Sequence, residues 1–142
     1  MGTKNKLLVP INGKPMVAFT AETIIASKAN SVAAVTGFEH QQIQEAIKNS
    51  NIEFIHNKNF QNGISSSVVT AIKSAPEDCS AILIGLGDMP KITVSHINML
   101  IDAYNPLEGR AICVPTWKGK RGNPVLWSRR FFPEMLQPYQ QK

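Results

Sequence analysis

The sequence predicts an α/β domain with a largely parallel sheet, and three observations carry that prediction. Strand-like and helix-like segments alternate along the chain. The stretch Ala81 to Pro90, AILIGLGDMP, is an unbroken apolar run closed by Gly-Asp-X-Pro, the pattern of a strand buried on both faces that delivers one carboxylate, Asp88, to a sheet edge. No repeat or low-complexity linker interrupts the pattern, and 142 residues at 43% hydrophobic suffice for one domain, residues 1–142, with a substantial core.

Taken in order, Leu7 to Ile11 is a short apolar piece closed by the turn Asn12-Gly13, and Pro15 stands where a helix can begin. A helix over Met16 to Ala29 follows. Ser31 to Thr36 reads as a strand stopped by Gly37, and Glu39 to Lys48 as a helix with Ile43, Ala46 and Ile47 on one face. Ile52 to His56 is the next strand, Ser65 to Ser74 a helix, and Thr93 to Tyr104 a helix with Ile97, Leu100, Ile101 and Tyr104 at helical spacing. Ala111 to Pro115 and Pro124 to Trp127 read as strands, and Arg129 to Leu136 as a helix.

Composition narrows the function. The net charge is +5, but the 15 Lys and Arg are scattered, with short clusters only at Lys118 to Arg121 and Arg129 to Arg130. With no long basic run and no aromatic-interleaved stripe, the charge fits a small phosphorylated ligand better than nucleic acid. Cys79 and Cys113 sit in or beside apolar runs without C-x-x-C spacing, which predicts reduced thiols and suits the cytoplasm. No apolar run has the length of a membrane span, and Met1 opens a polar stretch rather than a signal peptide.

Ligands of open α/β sheets bind beyond the carboxyl ends of the strands. Asp88 is expected there, either as a hard oxygen ligand for Mg²⁺, which takes few protein carboxylates, or as the cap of the next helix. After the strand Ile52 to His56, Gly63 precedes Ser65, Ser66 and Ser67 at a helix start, where free N–H groups attract anions and serine serves equally as an ordinary cap. Lys4, Lys6 and Lys14 are point charges suited to polyphosphate, and Gly13 beside Lys14 allows close backbone approach. The loop Lys118 to Pro124, with Arg121, Gly122 and Asn123, fits an anionic acceptor or a tight connection. His40, His56 and His96 share no metal-ligand spacing, and His96 fits a surface or packing role.

Together, Asn5-Lys6-Leu7-Leu8, Gly13-Lys14-Pro15-Met16, Phe60 through Gly63 to Val68, Gly87-Asp88-Met89-Pro90-Lys91-Ile92-Thr93, and Pro115 with Arg121-Gly122-Asn123-Pro124-Val125 resemble the MobA-like nucleotidyltransferases. The resemblance covers nearly the whole chain, and the serine run is most similar to the molybdenum cofactor cytidylyltransferases. It implies a three-layer, Rossmann-like fold of the nucleotide-diphospho-sugar transferase type. It also implies Mg²⁺-dependent attack of a molybdopterin phosphate on the α-phosphorus of CTP, or of GTP in the guanylyl branch, with pyrophosphate leaving. Under this resemblance Asp88 holds Mg²⁺, Lys6 neutralises the outer phosphates, and Gly13 with Lys14 borders the nucleotide. Gly63, Ser65, Ser66 and Ser67 line its pocket, and Arg121, Gly122 and Asn123 face the pterin. A molybdoenzyme or its maturation chaperone is the implied protein partner.

Two departures from the family pattern shape the expectations. The family opens on an apolar strand running into Leu-Ala-Ala-Gly-X-Ser-X-Arg-Met-Gly, whereas Met1-Gly2 stands where that signature ends. A sheet without its central first strand is therefore expected, with unpaired backbone groups costing about 1 to 3 kcal/mol each. Relatives also continue past Phe131-Phe132-Pro133-Glu134 into Gly-Asp-X-Gly-Ala-Arg. A module that binds nucleotide or pterin without catalysing transfer, a transferase for another small acceptor, and a doubly wound domain with a different ligand are the alternatives.

Overall fold

The computed structural model describes residues 6–48, 51–87, 89, 91–117 and 120–136. A 3-10 turn, Lys6–Leu8, leads into a hairpin of two short strands, β1 (Pro10–Ile11) and β2 (Lys14–Pro15). Asn12 and Gly13 form its two-residue turn with φ of 53° and 83°, the left-handed pair that Asn-Gly supplies readily. The apolar piece Leu7 to Ile11 is thus split between a turn and a strand. Helix α1 (Met16–Ile25) follows, starting at Met16 as expected, with Pro15 as its N-cap. It stops short of Ala29 because Ser27 turns back on it: the Ser27 hydroxyl donates to the Ile24 carbonyl at 2.6 Å and accepts from the Ala29 N–H at 3.3 Å.

Strand β3 (Val32–Thr36), helix α2 (His40–Ala46) and strand β4 (Ile52–His56) form a parallel βαβ unit with Val32 opposite Ile52 and Thr36 opposite His56. Helix α3 (Ile64–Lys73) begins one residue before the serines and packs along β3. Strand β5 (Ala81–Ile84) holds the apolar run, and helix α4 (Val94–Ala103) carries the predicted face, with Ile97 and Leu100 buried. Strands β6 (Ile112–Cys113), β7 (Thr116–Trp117), β8 (Lys120–Arg121) and β9 (Val125–Ser128) come next. A 3-10 turn, Arg129–Phe131, and helix α5 (Phe132–Met135) finish the described chain. Strands β7 and β8 pair as a short antiparallel hairpin, Thr116 opposite Arg121, around Lys118 and Gly119, which lie outside the described residues.

The α/β class holds, but parallel pairing among the described residues is confined to β3 and β4. Strand β9 lies between β5 and β6 and is antiparallel to both, pairing Leu83 with Leu126 and Cys113 with Leu126. The antiparallel character has a simple cause: β9 returns between two strands that share one direction. Among the described strands, β3 pairs only with β4 and β5 only with β9.

The core divides the same way. Val17, Ala18 and Ala21 of α1 pack with Ile43 and Ile47 of the α2 region against Ala34, Ile52 and Phe54. A second cluster joins Leu100, Cys113 and Leu126 with Leu83, Ile101 and Tyr104. The ends of α1 and α4 are tied by the Lys28 ammonium, 2.8 Å from Asp102, and by the Lys28 N–H donating to Asn98 Oδ1 at 2.8 Å. Helix α4 starts in a capping box: the His96 N–H donates to Thr93 Oγ1 and the Thr93 N–H to His96 Nδ1, both at 3.2 Å. His96 therefore serves the helix start. Among the described residues no helix is long and apolar enough to cross a membrane, and both cysteines are free thiols.

Candidate active site

Two groups of predicted residues gather at strand ends. The first lies beyond β5. A Cβ on Gly87 would meet the Leu7 methyls at 3.1 and 3.2 Å and Val17 at 3.5 Å, so this backbone lies against the Lys6–Leu8 turn and α1. Two residues on, the Met89 N–H donates to the hydroxyl of buried Thr20 at 3.2 Å. The residues on either side of position 88 are therefore anchored on α1, while Asp88 itself lies outside the described residues, as do Lys4, Pro90, Lys118 and Gly119. On the other flank, a Cβ on Gly85 would come 3.3 Å from Pro124. Pro124 is fully buried after a cis Asn123-Pro124 bond, and the Gly122 N–H donates to the Pro115 carbonyl at 3.0 Å. The segments of Lys6, Asp88 and Gly122-Asn123 thus converge on one strand end through their neighbours.

Lys14 points elsewhere in this state. Its ammonium lies 2.7 Å from Glu22 and over the Phe19 ring at 5.1 Å from the centroid. Both partners of the ion pair are exposed, so the pair is weak. Gly13 has no atom within 4 Å of a built Cβ, so it is the positive φ of the turn that requires glycine there.

The second group lies at the carboxyl ends of β3 and β4. Asn57, only 2% exposed, is its hub and was not singled out by the sequence. Its Nδ2 donates to Ser66 Oγ at 2.9 Å and to Ser67 Oγ at 3.1 Å; its Oδ1 accepts from the Asn59 N–H at 2.9 Å; its backbone N–H donates to the Thr36 carbonyl at 2.7 Å. The Ser66 hydroxyl proton is shared between the Gly63 carbonyl at 2.7 Å and the Asn59 carbonyl at 3.0 Å. Gly63, at φ 95°, is the N-cap of α3 and makes no side-chain capping bond. Gly63 rather than a serine caps α3, and the hydroxyls of Ser66 and Ser67 both accept from Asn57. They hold the loop 57–63 against the start of α3.

Around this hub stand four rings. Gly37 sits so close to Phe60 that a Cβ would collide with the Phe60 side chain, and Phe38 meets the Phe60 ring at 6.4 Å and 52°. His40 stacks on His56 at 3.9 Å and 24°. The His56 imidazole titrates below its ordinary value, first through desolvation by what packs on it, then through the charges of His40 and Lys58. Glu39 adopts φ 55°, and its Oε1 is shielded from solvent with no hydrogen-bond partner among the described residues. No cluster of three His, Cys, Asp or Glu among the described residues is arranged to hold a metal. Burial raises the Cys113 thiol, against a smaller opposing effect of Arg110, which keeps it an inert core group.

Comparison with known proteins gives the family and the fold. The chain is 28% identical over 109 residues to the bifunctional protein GlmU of Aquifex aeolicus, covering 75% of this chain and 24% of that protein. It is 28% identical over 121 residues to a probable molybdenum cofactor guanylyltransferase of Thermococcus sibiricus, covering 84% and 57%. It is 28% identical over 108 residues to the molybdenum cofactor cytidylyltransferase of Escherichia coli, covering 75% and 53%. The chain thus spans from about a quarter to a little over half the length of these relatives. In fold it resembles the crystal structure of Rv0371c from Mycobacterium tuberculosis, with a TM-score of 0.82 at 18% identity over 96% of this chain and 69% of that one. The manganese complex of that protein matches with a TM-score of 0.81 at 17% identity, covering 94% and 68%. The model of the MobA-like NTP transferase domain matches residues 1–142, and the chain belongs to that family.

Proposed function

We propose that this chain carries a nucleotidyltransferase domain, spanning residues 1–142, that moves CMP from CTP to the terminal phosphate of a molybdopterin-type acceptor and releases pyrophosphate. The observation that carries the proposal is the convergence of the Lys6 turn, the residues flanking Asp88 and the Gly122 to Pro124 segment at the end of β5, where Leu7 meets Gly87 and Gly85 meets Pro124. Transfer of this kind needs in-line positioning and cations rather than a covalent nucleophile. Lys6 would neutralise the outer phosphates of the donor, and Lys14 would join it on leaving Glu22. Arg121, Gly122 and Asn123 would hold the acceptor on the Pro124 side. Ser65, with the first-turn N–H groups behind Gly63, would line the nucleotide, while Ser66 and Ser67 shape that pocket through Asn57.

Asp88 is the one hard oxygen ligand expected at the strand end, which suits Mg²⁺; a fold neighbour is described in complex with manganese, the same class of ion. Bound Mg²⁺ supplies charge neutralisation at the triphosphate. Cytoplasmic location and delivery to a molybdoenzyme or its chaperone complete the proposal. GTP as donor is the second reading, since identity to the guanylyltransferase, 28%, equals that to the cytidylyltransferase. Pyrophosphate release by Asp88→Asn tests the assignment. Loss of most turnover with an unchanged melting temperature is expected, and undiminished release would remove Asp88 from the mechanism.

A further inference from the structure

The ring of Phe38 stands at the β3–β4 end, beside Phe60. It is 53% exposed, although it sits on a constrained turn. Behind it, Gly37 is pressed onto Phe60, and the Phe60 ring props that of Phe38 from the side. Ahead of it, Glu39 takes a left-handed conformation that aims the chain into α2. An exposed aromatic on a floppy loop would mean little, but this one is braced on both sides. The turn is also stitched to the loop that leads to Gly63 and the serines, because the Asn57 N–H donates to the Thr36 carbonyl at 2.7 Å. His40 and His56 stand at the same strand ends but cover each other, so their mutual faces are spent.

We propose that Phe38 is a stacking platform for a planar heteroaromatic ring, the nucleobase of the donor or the bicyclic ring of the acceptor. The proposal rests on the nucleotide-transfer reading above and names a residue that reading leaves idle. A ring face accepts any planar base, so Phe38 supplies affinity rather than choice among bases, which is left to hydrogen bonding.

The test is equilibrium binding of CTP, of inorganic triphosphate and of a free pterin to the wild-type chain and to Phe38→Ala, Phe38→Leu and Phe38→Trp. The platform predicts that Phe38→Ala weakens the ring-bearing ligand by about tenfold, leaves triphosphate binding unchanged, and is not rescued by the apolar Phe38→Leu, whereas Phe38→Trp retains affinity. A loss for CTP assigns the platform to the donor base, and a loss for pterin assigns it to the acceptor. Equal binding of CTP and pterin by wild type and Phe38→Ala would overturn the platform and leave the nucleotide reading standing. Absence of CTP and triphosphate binding in wild type would defeat that reading itself. Circular dichroism melts of the three variants keep the comparison to folded protein.

Discussion

Replacing Asn57 with alanine removes three side-chain hydrogen bonds at once: two donated to Ser66 and Ser67 and one accepted from the Asn59 N–H. Each such bond contributes about 1 kcal/mol net. The partners differ in what they lose. Asn59 is exposed and can return to water, and Ser66 keeps its carbonyl acceptors, whereas Ser67 sits partly shielded on the helix and Asn57 itself leaves a small void at a site only 2% exposed. The sum is about 3 kcal/mol, or about 10 °C in melting temperature for a chain of this size. Urea titration and thermal melts of Asn57→Ala beside Ser66→Ala and Ser67→Ala measure it, with each serine variant expected to cost about 1 kcal/mol. If Asn57→Ala unfolds within about 0.5 kcal/mol of wild type, the hub described here does not hold the loop.

The histidine pair makes stability depend on pH. Because the His56 value is lowered below 6.5 in the folded chain, the unfolded chain binds more protons just below that pH, so stability falls as pH drops through 6.5 and levels off beneath the folded value. The decrease in melting temperature between about pH 7.5 and about pH 5.5 should be smaller in His56→Gln than in wild type, and an equal decrease would count against the stack. Ile97, with no exposed surface, should cost about 2 to 5 kcal/mol as Ile97→Ala by chemical denaturation. A cost near zero would mean that α4 is not packed as described.

What the sequence reveals follows from how local each cause is. Strand β4, Ile52–His56, is read with its observed bounds because apolar content and flanking polar residues are local signals. The same holds for the face of α4, where Ile97 and Leu100 recur at helical spacing. The end of α1 is misread because Ser27 bonds back to Ile24, a choice that apolar periodicity does not register. That the hydroxyls of Ser66 and Ser67 accept from Asn57, nine and ten residues earlier, is not legible in the sequence, because the bonds cross a turn whose path is set by the β3–β4 pairing. The stacking of His40 on His56 likewise needs α2 and β4 brought side by side. The antiparallel insertion of β9 between β5 and β6 depends on long-range pairing, and two-residue strands such as β7 and β8 are too short to leave a period.

Among the described strands β3 pairs only with β4 and β5 only with β9, so whether the site forms as a working unit is a question for ligand binding. The most direct measurement is therefore a thermal-shift titration of the 142-residue chain with CTP, GTP, ATP and UTP, each with and without Mg²⁺, since a ligand selective for the folded state raises its melting temperature. A Mg²⁺-dependent rise that is largest for CTP is expected. A cooperative melt that no nucleotide shifts would contradict it.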